Sequence, residues 1–442
     1  MMTDDHLFVL LHGFWGNNAH LNKTRELLLS EYPDARVLAA SSYAGNLSYD
    51  GISICGQRVI AEIEERIKDI RDSDGVTIRK FSIAGYSLGG LIARYVVGEL
   101  DNSGFFNKTK PMNFTTFATP HLGVCSENPG YFRLAVNYYG RNWLGQSGRD
   151  MFLGDNGIVP RLADSEGYYY QALTKFERLS LYANITNDRS VHFFSAFMSE
   201  RDPFTKLDCC APEYVDSYDP VILDLSREMK ILRSPVKRKW SRRDYIFFSL
   251  FYSIGPLFLL MALISIAVSA QVSERRVRQL LQQSSKRAVE LIEQSGKNED
   301  EAALLQDVVE DLLDTTGSEE QETANKHDGT KYQDSSSSSS VKNSSSHSPQ
   351  RSSVSTLDTV CNSVVAHKAL HPEFLEQYCL DTALDLEEVQ VRMCNEMNNL
   401  HWCKYAVQIH QTFHSHAAIV NRRGGQPEGD IVLEHWAKHL VI

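Results

Sequence analysis

The sequence predicts an α/β fold, a mostly parallel central sheet flanked by helices, and three observations carry that reading. Strand-like apolar runs alternate with helical patterns at the spacing of βαβ units. The first run, HLFVLL over His6 to Leu11, is apolar almost without interruption, as expected for a parallel strand covered on both faces. The third observation is the stretch Gly85-Tyr86-Ser87-Leu88-Gly89, between an apolar run (Phe81 to Ala84) and a helical pattern (Gly90 to Leu100) with Leu91, Ile92, Tyr95, Val96 and Leu100 on one side. Strand, tight turn and helix form the setting in which a G-x-S-x-G serine is lifted above the edge of a sheet. Without that setting, a glycine-rich turn is the plainer reading of the pentapeptide.

Length and composition bound the rest. A chain of 442 residues can hold one large α/β domain plus accessory segments, and a net charge of -11 argues against nucleic acid as a partner. The eight cysteines show no C-x-x-C spacing, and Met1 to Leu11 lacks the basic region and cleavage site of a secretory leader. Reduced thiols and a cytosolic catalytic domain are therefore expected. No clustered histidines and carboxylates suggest a metal, and no cofactor is expected.

Taken in order, the first strand ends in His12-Gly13-Phe14-Trp15-Gly16, a turn able to aim the Phe14 N–H at the site above the serine. Paired with the N–H of Leu88, it would hold a developing oxyanion in acyl transfer. Ala35 to Ser41 reads as a second strand, and Gly51 to Arg71 as a helix through Val59, Ile60, Ile63, Ile67 and Ile70. Thr77 to Ala84 leads into the elbow, and a strand over Asn113 to Ala118 ends in Thr119-Pro120-His121-Leu122-Gly123. His121 is a weaker candidate base, because hydrolases of this architecture run serine, acid, histidine along the chain. Tyr131 to Gly157, rich in aromatics and glycines, reads as a packed excursion or a lid. Leu179 to Thr186 is a further strand, and Asp188 just beyond it is the first choice for the acid that orients a histidine, ahead of Asp155, Asp164 and Asp202.

Tyr245 to Ala270 then brings about 26 uncharged residues, long enough to be embedded in a membrane. Lys237-Arg238-Lys239 and Arg242-Arg243 precede it, and Arg275, Arg276 and Arg278 follow it. Two basic flanks place both ends on the cytosolic side. Gly255-Pro256 interrupts the middle, so the stretch reads as a hairpin in one monolayer. Ser273 to Asp314 is helical with a leucine-rich stripe, and Thr315 to Thr356, containing the run Ser335 to Ser340, is a disordered linker. Folded sequence resumes with a helix over Leu384 to Leu400, a strand over Trp402 to Ile409 and a closing helix over Glu428 to Val441. His414 and His416 fall in the loop after that last strand, where the general base of this architecture lies.

The segments HLFVLLHGFWGNNAHL, FSIAGYSLGGLIARY, TFATPHLG, LYANITNDRSV and HAAIVNRR resemble, in order, those of the Rog1-like (DUF676) serine lipases of the α/β-hydrolase superfamily. The resemblance covers about Asp5 to Asp224 and Asp385 to Ile442, and the hydrophobic insert makes the chain look closest to the family's fungal lipid-droplet phospholipase branch. It implies an α/β-hydrolase fold with Ser87 as nucleophile, Asp188 as acid, His416 as base and Phe14 with Leu88 as oxyanion donors. His414 becomes the second-choice base, because the family pattern sets a histidine shortly before a hydrophobic residue and then arginine, as in His416, Ile419 and Arg422. One departure is His192, where relatives usually carry proline after the valine.

The expected organisation is a hydrolase domain in two pieces, 1–235 and 357–442. Between them lie a membrane or monolayer segment (236–272), a helical segment (273–314) and a disordered linker (315–356). The expected function is a serine phospholipase cleaving acyl esters of glycerophospholipids at a lipid droplet or the cytosolic face of a membrane. Alternatives are a neutral-glyceride lipase, a protein depalmitoylase, and a lipid-surface scaffold with a vestigial hydrolase domain. The partners expected are the lipid substrate and the lipid surface.

Overall fold

The computed structural model describes residues 5–124, 140–153, 157–204, 210–227, 264–280, 384–412 and 414–442, with a few isolated positions between them. By its contacts the chain divides into two units, one of Met1–Glu274 with Val360–Ile442 and one of Arg275–Thr359. Of the second, a short helical stretch at its start is described, and the serine-rich linker lies outside the described residues.

Strands β1 (His6–Leu11), β2 (Arg36–Ala39), β3 (Lys80–Tyr86), β4 (Lys110–Phe117) and β5 (Arg178–Asn184) are followed by a short pair, β6 (Cys210–Ala211) and β7 (Lys230–Ile231), and by β8 (Trp402–Val407). Six of them form one sheet in the order β2-β1-β3-β4-β5-β8, and every neighbouring pair is parallel. β1 shows why its sequence is apolar throughout. Leu7, Val9 and Leu11 enter one core, and Phe8 and Leu10 enter another on the opposite face.

On the first face lie α2 (Ile52–Asp74), through Cys55, Val59, Ile63 and Ile70, and α3 (Leu88–Asn102), through Leu91, Ile92 and Val96. α2 stops at Gly75, whose φ of 66° is a left-handed cap that a side chain would strain. On the second face lies α1 (Asn22–Glu31), with Leu28 among its core residues. Smaller helices follow: α4 (Gly145–Met151), α5 (Ile158–Ala163), α6 (Tyr168–Thr174), α7 (Phe193–Phe197), α8 (Glu388–Asn398) and α9 (Ser415–Ala418). The last helix, α10 (Pro427–Lys438), covers the second face with Val432, Leu433 and Trp436.

This topology sets the position of the site. From β1 the chain passes to β2 on one side and then returns to β3 on the other, so the loops leaving β1 and β3 diverge. In open parallel sheets, ligands bind in the crevice at the carboxyl ends of strands where the order reverses in this way.

Several expectations are refined. The described part of the aromatic segment, 140–153, is a packed excursion. Ser147 Oγ donates to the Ser48 carbonyl at 2.6 Å and accepts from Gly51 N, and Asp150 accepts from Ile52 N at 2.8 Å. His192 has φ -66°, the value proline would impose, so its backbone matches a proline at this position. Cys55 and Cys394 are buried, reduced thiols, but Cys403 is disulfide-bonded, a departure from the expectation of reduced thiols throughout.

The apolar stretch is also corrected at its end. Residues 264–280 are helical, and Ser269, Ala270 and Ser273 are buried. Ser273 Oγ donates to Asp50, which also pairs with Arg58 at 2.7 Å, and Glu274 lies 3.7 Å from Arg149. Ile264, Val268 and Val272, at four-residue spacing, are exposed. The last turn of the stretch assigned to lipid therefore packs on the folded domain through its small polar face, a split that averaged hydropathy hides. Residues 245–263 lie outside the described residues, and among the described ones no helix is long and apolar enough to cross a membrane.

Candidate active site

Ser87 sits between β3 and α3 with φ 56° and ψ -126°, a backbone state that non-glycine residues rarely adopt. Hydrogen bonds hold it there. Its N–H donates to the Phe117 carbonyl at 2.9 Å, and its carbonyl accepts from Gly90 N at 3.0 Å and from Thr119 Oγ at 3.1 Å. Residue 85 must be glycine for strand and helix to close this turn, because a Cβ there would lie 2.4 Å from the Gly89 carbonyl oxygen.

His416 arrives from the far end of the chain. α9 is tied to the end of β5 by Ser415 Oγ, which donates to the Thr186 carbonyl at 2.7 Å. His416, on the same short helix, then reaches Ser87 Oγ with Nε2 at 2.9 Å and Asp188 Oδ2 with Nδ1 at 2.9 Å. Asp188 Oδ2 also accepts from the Asn184 amide at 2.9 Å, and Oδ1 accepts from Ser190 N at 3.0 Å and Val191 N at 2.9 Å. Burial acts to raise this carboxyl, but the His416 charge and these hydrogen bonds outweigh it and hold the group below the usual carboxylate range. An ionised Asp188 fixes the proton of His416 on Nδ1, which leaves the Nε2 lone pair facing the serine hydroxyl.

Two backbone donors complete the arrangement. Leu88 opens α3, so its N–H is among the first four, which have no intrahelical acceptor. Neither it nor the Phe14 N–H forms a hydrogen bond among the described residues. Gly13 passes against the serine so closely that a Cβ on it would lie 2.9 Å from Ser87 Cβ. Gly13→Ala must push the Phe14 N–H out of place. An expected loss of about 10²–10³-fold in kcat follows, the usual cost of one oxyanion donor, to be measured on a water-soluble ester.

Other candidates lie elsewhere. His414 is exposed at the start of α9, with its backbone N–H on Thr412. His121 is wholly buried with Nε2 on Thr116 Oγ at 2.9 Å, and burial, with the charges of Arg94 and Lys404, keeps it well below the ordinary histidine range. It supports the loop behind the serine. Asp164 and Asp202 accept from nearby backbone N–H groups, and Asp155 lies outside the described residues. Thr119 and Asn184, which brace Ser87 and Asp188, went unpredicted. The available signal was a polar residue at the end of a strand.

A strained serine at the carboxyl edge of a parallel sheet, hydrogen-bonded to a histidine that a buried carboxylate orients, is the geometry of serine hydrolases. Residues 1–202 match the family model described as "Putative serine esterase (DUF676)". The chain is 31% identical over 207 residues to "Putative lipase ROG1" of Saccharomyces cerevisiae, covering 43% of this chain and 28% of that protein. It is 30% identical over 212 residues to "Putative lipase C4A8.10" of Schizosaccharomyces pombe, covering 44% and 26%. The chain thus spans less than a third of the length of these relatives. Among solved structures, it is similar to the RedJ thioesterase of Streptomyces coelicolor at 13% identity and a TM-score of 0.25, covering 43% of this chain and 74% of that one. Residues 1–202, less than half of the chain, thus carry the similarity to the "Putative serine esterase (DUF676)" domain and to these lipase-named relatives.

Proposed function

We propose that this protein is a serine hydrolase that cleaves acyl esters of glycerophospholipids at a lipid droplet or membrane surface. The observation that carries the reading is the hydrogen-bonded chain Ser87–His416–Asp188 beside the unengaged N–H groups of Phe14 and Leu88. In this reading, Ser87 Oγ attacks the acyl carbonyl while His416 Nε2 takes its proton. The Phe14 and Leu88 N–H groups hold the oxyanion, and Asp188 stabilises the imidazolium. Collapse breaks the bond to the glycerol oxygen, which leaves as a lysolipid hydroxyl with the proton from His416. Water, deprotonated by His416, then attacks the acyl-serine, releasing fatty acid and restoring the serine hydroxyl.

A lipid substrate is supported by the lipase names of the relatives and by the uncharged stretch that starts at Tyr245 and reaches the turn packed through Ser269 and Ala270. Ser87 and Asp188 precede that stretch and His416 follows it. A single full crossing would put the base across a bilayer from the serine, so the reading requires the stretch to enter one leaflet and return. That geometry also suits a droplet, whose apolar core has no second aqueous face.

The test is product analysis with purified full-length protein on defined phospholipids, mono-, di- and triacylglycerols and an S-palmitoyl peptide, with a fluorophosphonate probe in parallel. Free fatty acid and lysophospholipid are expected from the wild type and neither from Ser87→Ala, with the probe on Ser87. Hydrolysis retained in Ser87→Ala would refute the mechanism. Release from neutral glycerides or the peptide alone would replace the substrate class.

A further inference from the structure

Two cations beside the site have no part in the mechanism above. Arg422 and Arg423 follow His416 on a turn that the fold holds rigidly. Ile419 and Val420 are buried in the core below it. Arg422 N donates to the Ala417 carbonyl at 3.0 Å, and Asn421, at φ 45°, accepts Gln426 N on its side chain at 3.2 Å. α10 closes against the turn so tightly that a Cβ on Gly429 would lie 2.0 Å from the Ala418 carbonyl oxygen. Such a turn fixes the backbone from which both side chains leave.

That backbone stands beside His416, because the Ala417 carbonyl that accepts from Arg422 N belongs to the next residue. Burial, and after it the charges of Arg422 and Arg423, hold His20 below the ordinary histidine range. Both arginines also act on Tyr86, which precedes Ser87 and whose ring lies 5.1 Å from that of His416. Arg422 bears in addition on His12, the residue before the Gly13-Phe14 donor loop. Neither arginine forms an ion pair among the described residues. The carboxylates nearby are committed. Asp430 accepts from the Asn421 amide at 2.7 Å and its charge bears on Lys23, while Asp188 accepts from four donors. In the same region His12 Nε2 is buried without a hydrogen-bond partner, while the Arg422 side chain bears on the buried Tyr86 hydroxyl.

Guanidiniums with no carboxylate partner among the described residues, Arg422 half-buried beside Tyr86 and Arg423 exposed, favour an anion, and their planar fork fits two oxygens of a phosphate. We propose that Arg422 and Arg423 bind the phosphodiester of the lipid whose acyl ester lies over Ser87, and so select glycerophospholipids over neutral glycerides. This rests on the phospholipid reading above. A glycerophospholipid carries its phosphodiester on the same glycerol as the scissile ester, so one molecule can engage both the serine and the two arginines.

Short-chain diacylphosphatidylcholine and short-chain diacylglycerol, each below its micelle concentration, give the selectivity ratio without any lipid surface. Full-length Arg422→Gln/Arg423→Gln should lower the phosphatidylcholine-to-diacylglycerol ratio of kcat/KM by at least about 10–100-fold, the usual scale of a single charge-assisted hydrogen bond. Arg422→Lys/Arg423→Lys, which keeps the charge and loses the fork, should restore part of it. An unchanged ratio, including a parallel fall on both substrates, overturns the assignment while leaving the phospholipid reading intact. Wild-type protein inactive on phosphatidylcholine overturns both. A second arm presents the diacylglycerol on anionic phospholipid vesicles. A loss confined to that arm assigns the arginines to surface headgroups and rejects the substrate role.

Discussion

Asp188→Asn is expected to lower turnover of every ester substrate by about 10⁴-fold, ~5 kcal/mol of barrier, in a protein that still folds. The reason lies in the donors around the carboxylate. One oxygen faces His416 Nδ1 and the Asn184 amide, and the other faces the N–H groups of Ser190 and Val191, so all four partners donate. An asparagine must turn its NH₂ toward one of these pairs. If the NH₂ faces Ser190 and Val191, two backbone hydrogen bonds become repulsive contacts. If it faces His416, the imidazole must expose its Nδ1 lone pair and carry its proton on Nε2. A proton on Nε2 points at Ser87 and cannot accept the serine hydrogen. The measurement is kcat on a water-soluble ester, with fluorophosphonate labelling of Ser87 slowed in step. A loss below tenfold would mean that His416 keeps its tautomer without Asp188.

What the sequence made legible follows from the range of each interaction. The elbow could be read because its signal is local: two glycines, a serine, an apolar run before and a helical face after, all within about one strand and one helix. His416 could be narrowed to a pair with His414, because chain order places the base after the last strand. Choosing between neighbours two residues apart depends on the direction of a short helix set by Ser415 and Thr186, a contact made across 229 residues. Thr119 and Asn184 escaped notice because threonine and asparagine at strand ends are common and only their partners give them meaning. The end of the apolar stretch was misjudged for a related reason. Ser269 interrupts the hydropathy so weakly that the run reads as one segment, whereas on a helix it shares a face with Ser273 beyond the run, and the two find Asn46 and Asp50. Cys403 carries no spacing signal that would have marked it for a disulfide.

Acid should unfold this domain well before its surface carboxylates are exhausted, because two core histidines must stay neutral. His6 Nε2 lies 2.8 Å from Ser82 Oγ, which already accepts Asn113 N and the Asn113 amide, so the serine hydroxyl donates and His6 accepts. The ring proton is then on Nδ1, which is buried without a partner. Burial, with the Lys80 charge, pushes His6 down to about 3. His435, beside the Tyr182 hydroxyl at 2.8 Å, is pushed down to about 3 by burial, with the charges of His439 and Arg178 adding to it. For a group whose folded value is depressed, the stability contribution is fully present above the unfolded value near 6.5. It is lost as pH falls toward the folded value near 3. Each histidine therefore removes about 1.4 kcal/mol per pH unit across that window, roughly 5 kcal/mol in all. The pair together reaches the ~5–15 kcal/mol that ordinary domains have to spare. Urea unfolding followed by tryptophan fluorescence at intervals from pH 7 to 4.5 gives the slope of stability against pH. His6→Gln and His435→Gln should each flatten that slope by about 1.4 kcal/mol per unit, whatever each does to the midpoint at pH 7. A slope unchanged in both variants would show that the rings take up protons inside the fold, which Ser82 and Tyr182 could then accommodate only by turning their hydroxyls away.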